Sequence, residues 1–185
     1  MTFHHGDRGT PVERWADAVG RRIDVRDARR VVVVAAHPDD ESLGAGGLLA
    51  RCAAAGIPTT VLLLTDGEGS HPASPTHPPA VLAERRRREA VVAAAALGVD
   101  RDRLVHLGLP DGGVAEHEDA VVAAIVELVG DGRETLLVAP SRRDGHPDHE
   151  AAGRAAAIAA VRTDARLLEY LIWVLHADEP RAQIG

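Results

Sequence analysis

The 185-residue chain has room for one domain with a buried core and is short for two. Its formal net charge of −7, with Arg supplying all 21 basic residues, argues against a nucleic-acid binder. A lone cysteine, Cys52, excludes an internal disulfide and a cysteine-rich structural metal site, and with only 2% aromatic residues the core must be built from Val, Leu, Ala and Ile.

Residues 1–10 read as disordered and lack the cationic-then-apolar pattern of a signal peptide. Thr10 as N-cap and Pro11 at the first helical position predict a short helix to Val19. Arg30 to Ala36 is a continuous β-branched run, the mark of a strand buried on both faces in a parallel sheet. A Gly-rich segment and a helix follow to about Ala55, stopped by Gly56 and Pro58, with Cys52 as a small core residue. Thr59 to Thr65 is a second buried strand. Asp66 to Pro79 forms the longest loop, of a length typical of binding loops. Ala80 to Leu97 is a helix capped by Gly98, and its basic run Arg85–Arg88 reads as a solvated face. Arg103–Leu107 is a third strand, Gly108–Gly113 a turn-rich loop, and His117–Val129 a helix ended by Gly130. Thr135–Ala139 is a fourth strand, Pro140–Pro147 a loop and His149–Arg162 a helix. Arg166–Val174 is a fifth strand, with Trp173 most simply in the core and stacking on a sugar as the lesser reading. No apolar run is long enough to span a bilayer, so a cytoplasmic protein without membrane contact is expected.

Strands alternating with helices predict a three-layer α/β/α Rossmann-like sandwich with a mostly parallel five-stranded sheet, taken as a single domain over 11–185. The commonest strand order sets strands one and four side by side. A crevice then opens at their carboxyl ends, where ligands of open α/β sheets bind.

Two motifs fall at that crevice: Ala36-His37-Pro38-Asp39-Asp40-Glu41 after the first strand and Asp144-Gly145-His146-Pro147-Asp148-His149 after the fourth. Alone, a His-Pro-Asp is common in surface turns, where Asp caps a helix. Together, each after a buried strand, they assemble a metal site. His, Asp and His suit zinc, and three protein ligands leave the open position of a catalytic site. His37, Asp40 and His149 are assigned as ligands of one Zn²⁺ per chain, a set that Fe²⁺ also fits. Each Pro forces the preceding His into an extended conformation while the following residues turn. Asp39 remains as a free carboxylate able to accept a proton from water that zinc acidifies. His146 faces the developing oxyanion or the leaving amine. Asp148 is placed to hydrogen-bond a histidine ring and fix its tautomer.

At these residues the sequence resembles the PIG-L (LmbE-like) family of zinc-dependent N-acetylglucosaminyl deacetylases. Thr65-Asp66-Gly67-Glu68, Arg86 with Glu89, Leu97-Gly98-Val99, Leu109-Pro110-Asp111-Gly112-Gly113 and Ala151-Ala152-Gly153-Arg154 add to the resemblance, which spans about residues 30–175. It implies zinc on His37, Asp40 and His149, with Asp39 as general base and His146 as the acid or oxyanion histidine. The implied reaction removes the N-acetyl group from an aminosugar or glycoside, releasing acetate and a free amine. Some members carry a Tyr where this chain has Asp144. A carboxylate there would repel an oxyanion, so either Asp144 points elsewhere or another donor serves. The Asp-Gly-His-Pro-Asp-His form looks like a bacterial subgroup tied to secondary metabolites. A family C-terminal segment that often walls the substrate pocket is not recognised within residues 1–185, which leaves the substrate open.

Arg86, Asp111 and Asp144 are the candidate substrate-binding residues. Arg86 with Glu89 also reads as a solvated ion pair, and Asp111 as a turn former. His71 and His77 read as surface residues, with substrate gating as the lesser reading, and His106 and His117 as element ends; none is assigned to the metal. Another metal-dependent hydrolase, or a metal-retaining binding protein without turnover, would use the same residues. The oligomeric state is open.

Overall fold

The computed structural model describes residues 27–176 without a break, together with Pro11, Glu13, Asp24 and Val25. The expected leader 1–10 and most of the helix expected to Val19 lie outside the described residues. In chain order the elements are β1 (Arg30–Ala35), α1 (Asp40–Ala54), β2 (Thr59–Thr65), α2 (Pro79–Ala96), β3 (Leu104–Leu109), α3 (Glu118–Val129), β4 (Thr135–Pro140), α4 (Pro147–Thr163) and β5 (Arg166–Tyr170).

The five strands form one sheet in the order β3-β2-β1-β4-β5, and every pairing is parallel. Val33 pairs with Val61 on one side and Val138 on the other, so β1 is central. The period of two splits each strand between two cores. Val31, Val33 and Ala35 join Leu49 and Cys52 of α1 and Ala90 and Ala94 of α2. Val32 and Val34 join Val121 and Ile125 of α3 and the alanines of α4 on the other face. The chain builds outward from β1 to β3 with helices on one face. It then crosses to β4 with helices on the other. The switch point therefore lies between the carboxyl ends of β1 and β4.

Two close approaches fix the helices around that point. A Cβ on Gly44 would lie 2.1 Å from the Tyr170 ring, so only glycine lets α1 pass over this side chain. The Tyr170 hydroxyl in turn donates to the Val34 carbonyl at 2.8 Å. A Cβ on Gly153 would lie 2.5 Å from the Pro140 carbonyl, so α4 can press against the end of β4.

The fifth strand ends at Tyr170, short of the expected Val174. Its last pairing is Pro140 with Tyr170, where β4 also stops, and beyond it Ile172 and Trp173 turn their backbone N–H groups to the Asp144 carboxylate. Trp173 thus begins a short 3₁₀ turn, Trp173–His176, rather than extending the strand. Helix α4 starts at Pro147, two residues before the expected His149, because proline is well suited to the first helical position. Among the described residues no helix is long and apolar enough to cross a membrane.

Candidate functional site

The two motif loops meet at the switch point. Asp39, at the N-terminus of α1, has φ 119° and ψ −25°, a left-handed conformation that a non-glycine residue adopts only when its surroundings hold it. Glu41 is one such restraint: it is 1% exposed, and its carboxylate accepts the Asp39 N–H at 3.0 Å and the Ser42 hydroxyl at 2.7 Å. The turn sends the Asp40 carboxylate back into the protein, where it accepts the His37 N–H at 2.9 Å. On the other loop, His146 caps α4 by accepting the Asp148 N–H on Nδ1 at 3.3 Å. His149 then lies in the first turn of α4, fully buried.

Three atoms converge there. His37 Nδ1 lies 3.2 Å from His149 Nε2 and 3.4 Å from Asp40 Oδ2, and His149 Nε2 lies 3.1 Å from Asp40 Oδ2. Around a tetrahedral zinc the bond lengths place neighbouring donors about 3.3 Å apart, so the spacing fits such an ion. The tautomers fit as well. His37 Nε2 faces two acceptors, Asp111 Oδ1 at 3.1 Å and Asp148 Oδ2 at 3.2 Å, so this nitrogen carries the proton. His149 Nδ1 donates to Asp144 Oδ1 at 2.7 Å. Once both rings are deprotonated, the nitrogen turned to Asp40 is therefore the bare one, and three lone pairs meet. That arrangement asks for a cation.

The electrostatics point the same way. Burial disfavours a charged His37, but hydrogen bonds to Asp111, Asp148 and Asp40 outweigh it and push its pKa up to about 11. Burial likewise opposes charge on His149, and Asp144 and Asp40 push it up to about 9. Burial would raise Asp40; His149 and His37 reverse that and hold it well below the carboxylate range. Four carboxylates thus surround two imidazoles, an excess of negative charge that a divalent ion would balance.

Asp144, expected at the substrate, is instead 1% exposed and spent on other partners. It orients His149 and accepts the N–H of Ile172 at 2.8 Å and of Trp173 at 3.1 Å. The possible repulsion of an oxyanion is thereby resolved, because the carboxylate is turned into the protein. Asp148 accepts the N–H groups of Gly112 at 2.8 Å and Val114 at 3.1 Å, which ties the loop after β3 to His37. Asp111 joins that loop to residues 67–69: its carboxylate accepts the Gly69 N–H at 2.8 Å, and its own N–H donates to Glu68 at 2.9 Å.

The basic run on α2 departs from a plain solvated face. Arg85 pairs with Glu89 at 2.8 Å by the i,i+4 spacing, and Arg88 lies 3.7 Å from Glu84. The other two leave the helix. Arg87 grips Asp66 at the end of β2, and Arg86 donates to the Pro38 carbonyl and to Asp39 Oδ2 at 2.9 Å. The ion pair read between Arg86 and Glu89 is thus replaced by one with Arg85. Burial raises the Asp39 pKa; Arg86 opposes this, and Asp40 and Glu41 add to it.

Asp39, His37, Asp40, Asp111 and His146 line one cavity of about 430 Å³ with Leu43, Ile172 and Trp173. The His146 ring lies 4.7 Å from the His149 ring and 4.9 Å from the His37 ring, and Trp173 stacks beside it at 6.1 Å. Burial and the charges of His37 and His149 lower the His146 pKa. Its Nδ1 accepts a backbone N–H, so the neutral ring keeps its proton on Nε2 as a donor. The sequence gives Glu41 no site role, and it gives Trp173 one only as the lesser reading, stacking on a sugar. Glu41 stands within the first motif at an acidic first-turn position, which was its one visible signal.

Residues 32–160, which include both loops, match the model of the PIG-L family, described as GlcNAc-PI de-N-acetylase. The chain belongs to the PIG-L family. Among PIG-L relatives, the 1D-myo-inositol 2-acetamido-2-deoxy-alpha-D-glucopyranoside deacetylase of Streptomyces griseus is 33% identical over 160 residues, 72% of this chain and 49% of that protein. The probable N-acetyl-alpha-D-glucosaminyl L-malate deacetylase 2 of Bacillus subtilis is 34% identical over 134 residues, 71% of this chain and 61% of that one. The crystal structure of the conserved protein TT1542 from Thermus thermophilus shares 36% identity at a TM-score of 0.59, over 77% of this chain and 66% of the other. This chain therefore spans about half the length of the Streptomyces relative.

Proposed function

We propose that this PIG-L chain is a metal-dependent N-deacetylase that hydrolyses the N-acetyl group of an aminosugar-containing small molecule to acetate and a free amine. The observation that carries the reading is the convergence of three potential ligand atoms, His37 Nδ1, Asp40 Oδ2 and His149 Nε2, at the spacing a tetrahedral ion requires. Zinc is the first choice for such donors, and iron(II) also suits them. A divalent ion there supplies a Lewis acid for the amide carbonyl and acidifies water.

The chain's own residues supply the proton traffic. Asp39, on the cavity wall with its pKa raised, accepts the proton released as water adds to the acyl carbon. His146 offers its Nε2 proton to the developing oxygen charge or to the leaving nitrogen as the C–N bond breaks. Asp111 and Arg86 border the cavity and hold its loops and Asp39 in place, as the contacts above describe. The names of the Streptomyces and Bacillus relatives, both deacetylases of N-acetylglucosamine compounds, support this choice of bond.

The test is acetate release by the purified chain with added zinc, across N-acetylglucosamine and its glycosides, beside nitrophenyl phosphate. Acetate from the sugars alone supports the reading. Phosphate release without acetate would assign the site to a different hydrolysis.

A further inference from the structure

His146 is held by little of its own. Among the described residues its ring makes one hydrogen bond, Nδ1 accepting the Asp148 N–H at 3.3 Å. The last torsion of a histidine side chain is broad, so one long bond leaves the ring free to rock. A flat neighbour restrains it. The Trp173 indole stacks on the His146 ring with centroids 6.1 Å apart and planes 28° apart, within the range of offset-stacked aromatic pairs. Both side chains line the cavity that His37, Asp39 and Asp40 also line. We infer that Trp173 is a positioning residue: it acts through His146, backing the imidazole so that its Nε2 proton stays directed at the reacting amide. The inference rests on the deacetylase reading and adds a residue to its proton transfer.

Anchoring and apolar cover carry it. The N–H groups of Trp173 and Ile172 end on the Asp144 carboxylate at 3.1 and 2.8 Å, and Asp144 is 1% exposed. The same carboxylate holds His149 Nδ1 at 2.7 Å, and the His149 ring lies 4.7 Å from the His146 ring. One buried group thus places both the indole and a second ring that touches His146. Ile172 and Trp173 are only partly exposed and form, with Leu43, the apolar part of the cavity wall. Keeping water from a donor strengthens its bond to developing charge. An indole that stacked on the sugar instead would bind substrate and transition state alike, and its loss would raise KM. A backing role acts through kcat, because the aim of Nε2 matters only as charge develops.

The experiment measures kcat, KM and zinc content of the full chain on N-acetylglucosamine, with Trp173→Leu to remove the flat face and Trp173→Phe to keep one. Trp173→Leu should lower kcat about tenfold with KM within about twofold and zinc content unchanged, and Trp173→Phe should recover most of the loss. In a His146→Gln background the same Trp173→Leu change should lower kcat by less than about twofold, because the ring it backs is gone. A readout apart from turnover is the NMR signal of the His146 ring protons, assigned by their absence from His146→Gln. These signals should move in Trp173→Leu and move less in Trp173→Phe. Full kcat in Trp173→Leu, a change in KM alone, a loss of zinc, an equal loss in the His146→Gln background, or His146 signals that do not move would each overturn the inference while the deacetylase reading stands. No acetate from the unaltered chain removes both.

Discussion

Asp144 Oδ1 lies 2.7 Å from His149 Nδ1, and the same carboxylate receives the backbone N–H groups of Ile172 and Trp173. One buried side chain therefore sets the orientation of His149, a proposed metal ligand, and anchors the segment that walls the cavity. Asp144→Asn retains a single carbonyl oxygen and cannot serve both sets of donors. Metal affinity should fall about 10- to 100-fold, read by competition with a chromogenic chelator. Trp173 emission should shift as its segment loosens. An affinity within about twofold of wild type would separate Asp144 from the metal site.

Asp39 and His149 should respond differently to substitution. Asp39→Asn should keep the metal and lower kcat by about 100-fold or more, because the ion's donors remain while the proton acceptor is lost. His149→Ala should lose the metal. Metal content and turnover, measured on the same preparations, check both outcomes. Full activity in Asp39→Asn would end its assignment as base.

The left-handed turn at Asp39 depends on Glu41. Glu41→Ala leaves the Asp39 N–H without its acceptor, and stability should drop by about 1–3 kcal/mol in urea unfolding. Glu41→Gln keeps an acceptor oxygen and should recover most of that loss together with kcat. Equal losses in both variants would mean that the carboxylate charge, rather than the hydrogen bond, is what matters.

The raised histidine pKa values give a pH prediction with opposite signs for the two forms of the protein. Against an unfolded value of about 6.5, His37 and His149 stabilise the metal-free fold below that pH. The contribution is lost as pH rises through about 9 and then about 11. Binding an ion requires both rings deprotonated, so metal affinity rises with pH over the same range. Melting scans between about pH 6.5 and 9.5 should show the metal-free Tm falling and the increment on adding zinc growing. An increment that shrinks with pH would contradict these donors.

Much of the candidate site is legible in the sequence, for a physical reason. Buried parallel strands read as unbroken β-branched runs, so Arg30–Ala35 and Thr135–Pro140 could be located, and the topology then joined the motif after each. What escaped notice depends on where side chains end up across the fold. Arg86 and Asp39 are 47 positions apart, and nothing in a run of four arginines says which of them will leave the helix. The segment around Trp173 read as strand because its residues are apolar, yet its partner strand stops at Pro140 and its N–H groups turn to Asp144. Glu41 stands at the end of the first motif, and its role at Asp39 emerges only with the backbone angle.

The most direct test is a crystal structure of the zinc-loaded chain with anomalous data at the zinc edge. One peak per chain, bonded to His37 Nδ1, Asp40 Oδ2 and His149 Nε2, is the expected result. A peak elsewhere, or none at saturating zinc with these side chains ordered, would contradict the assignment.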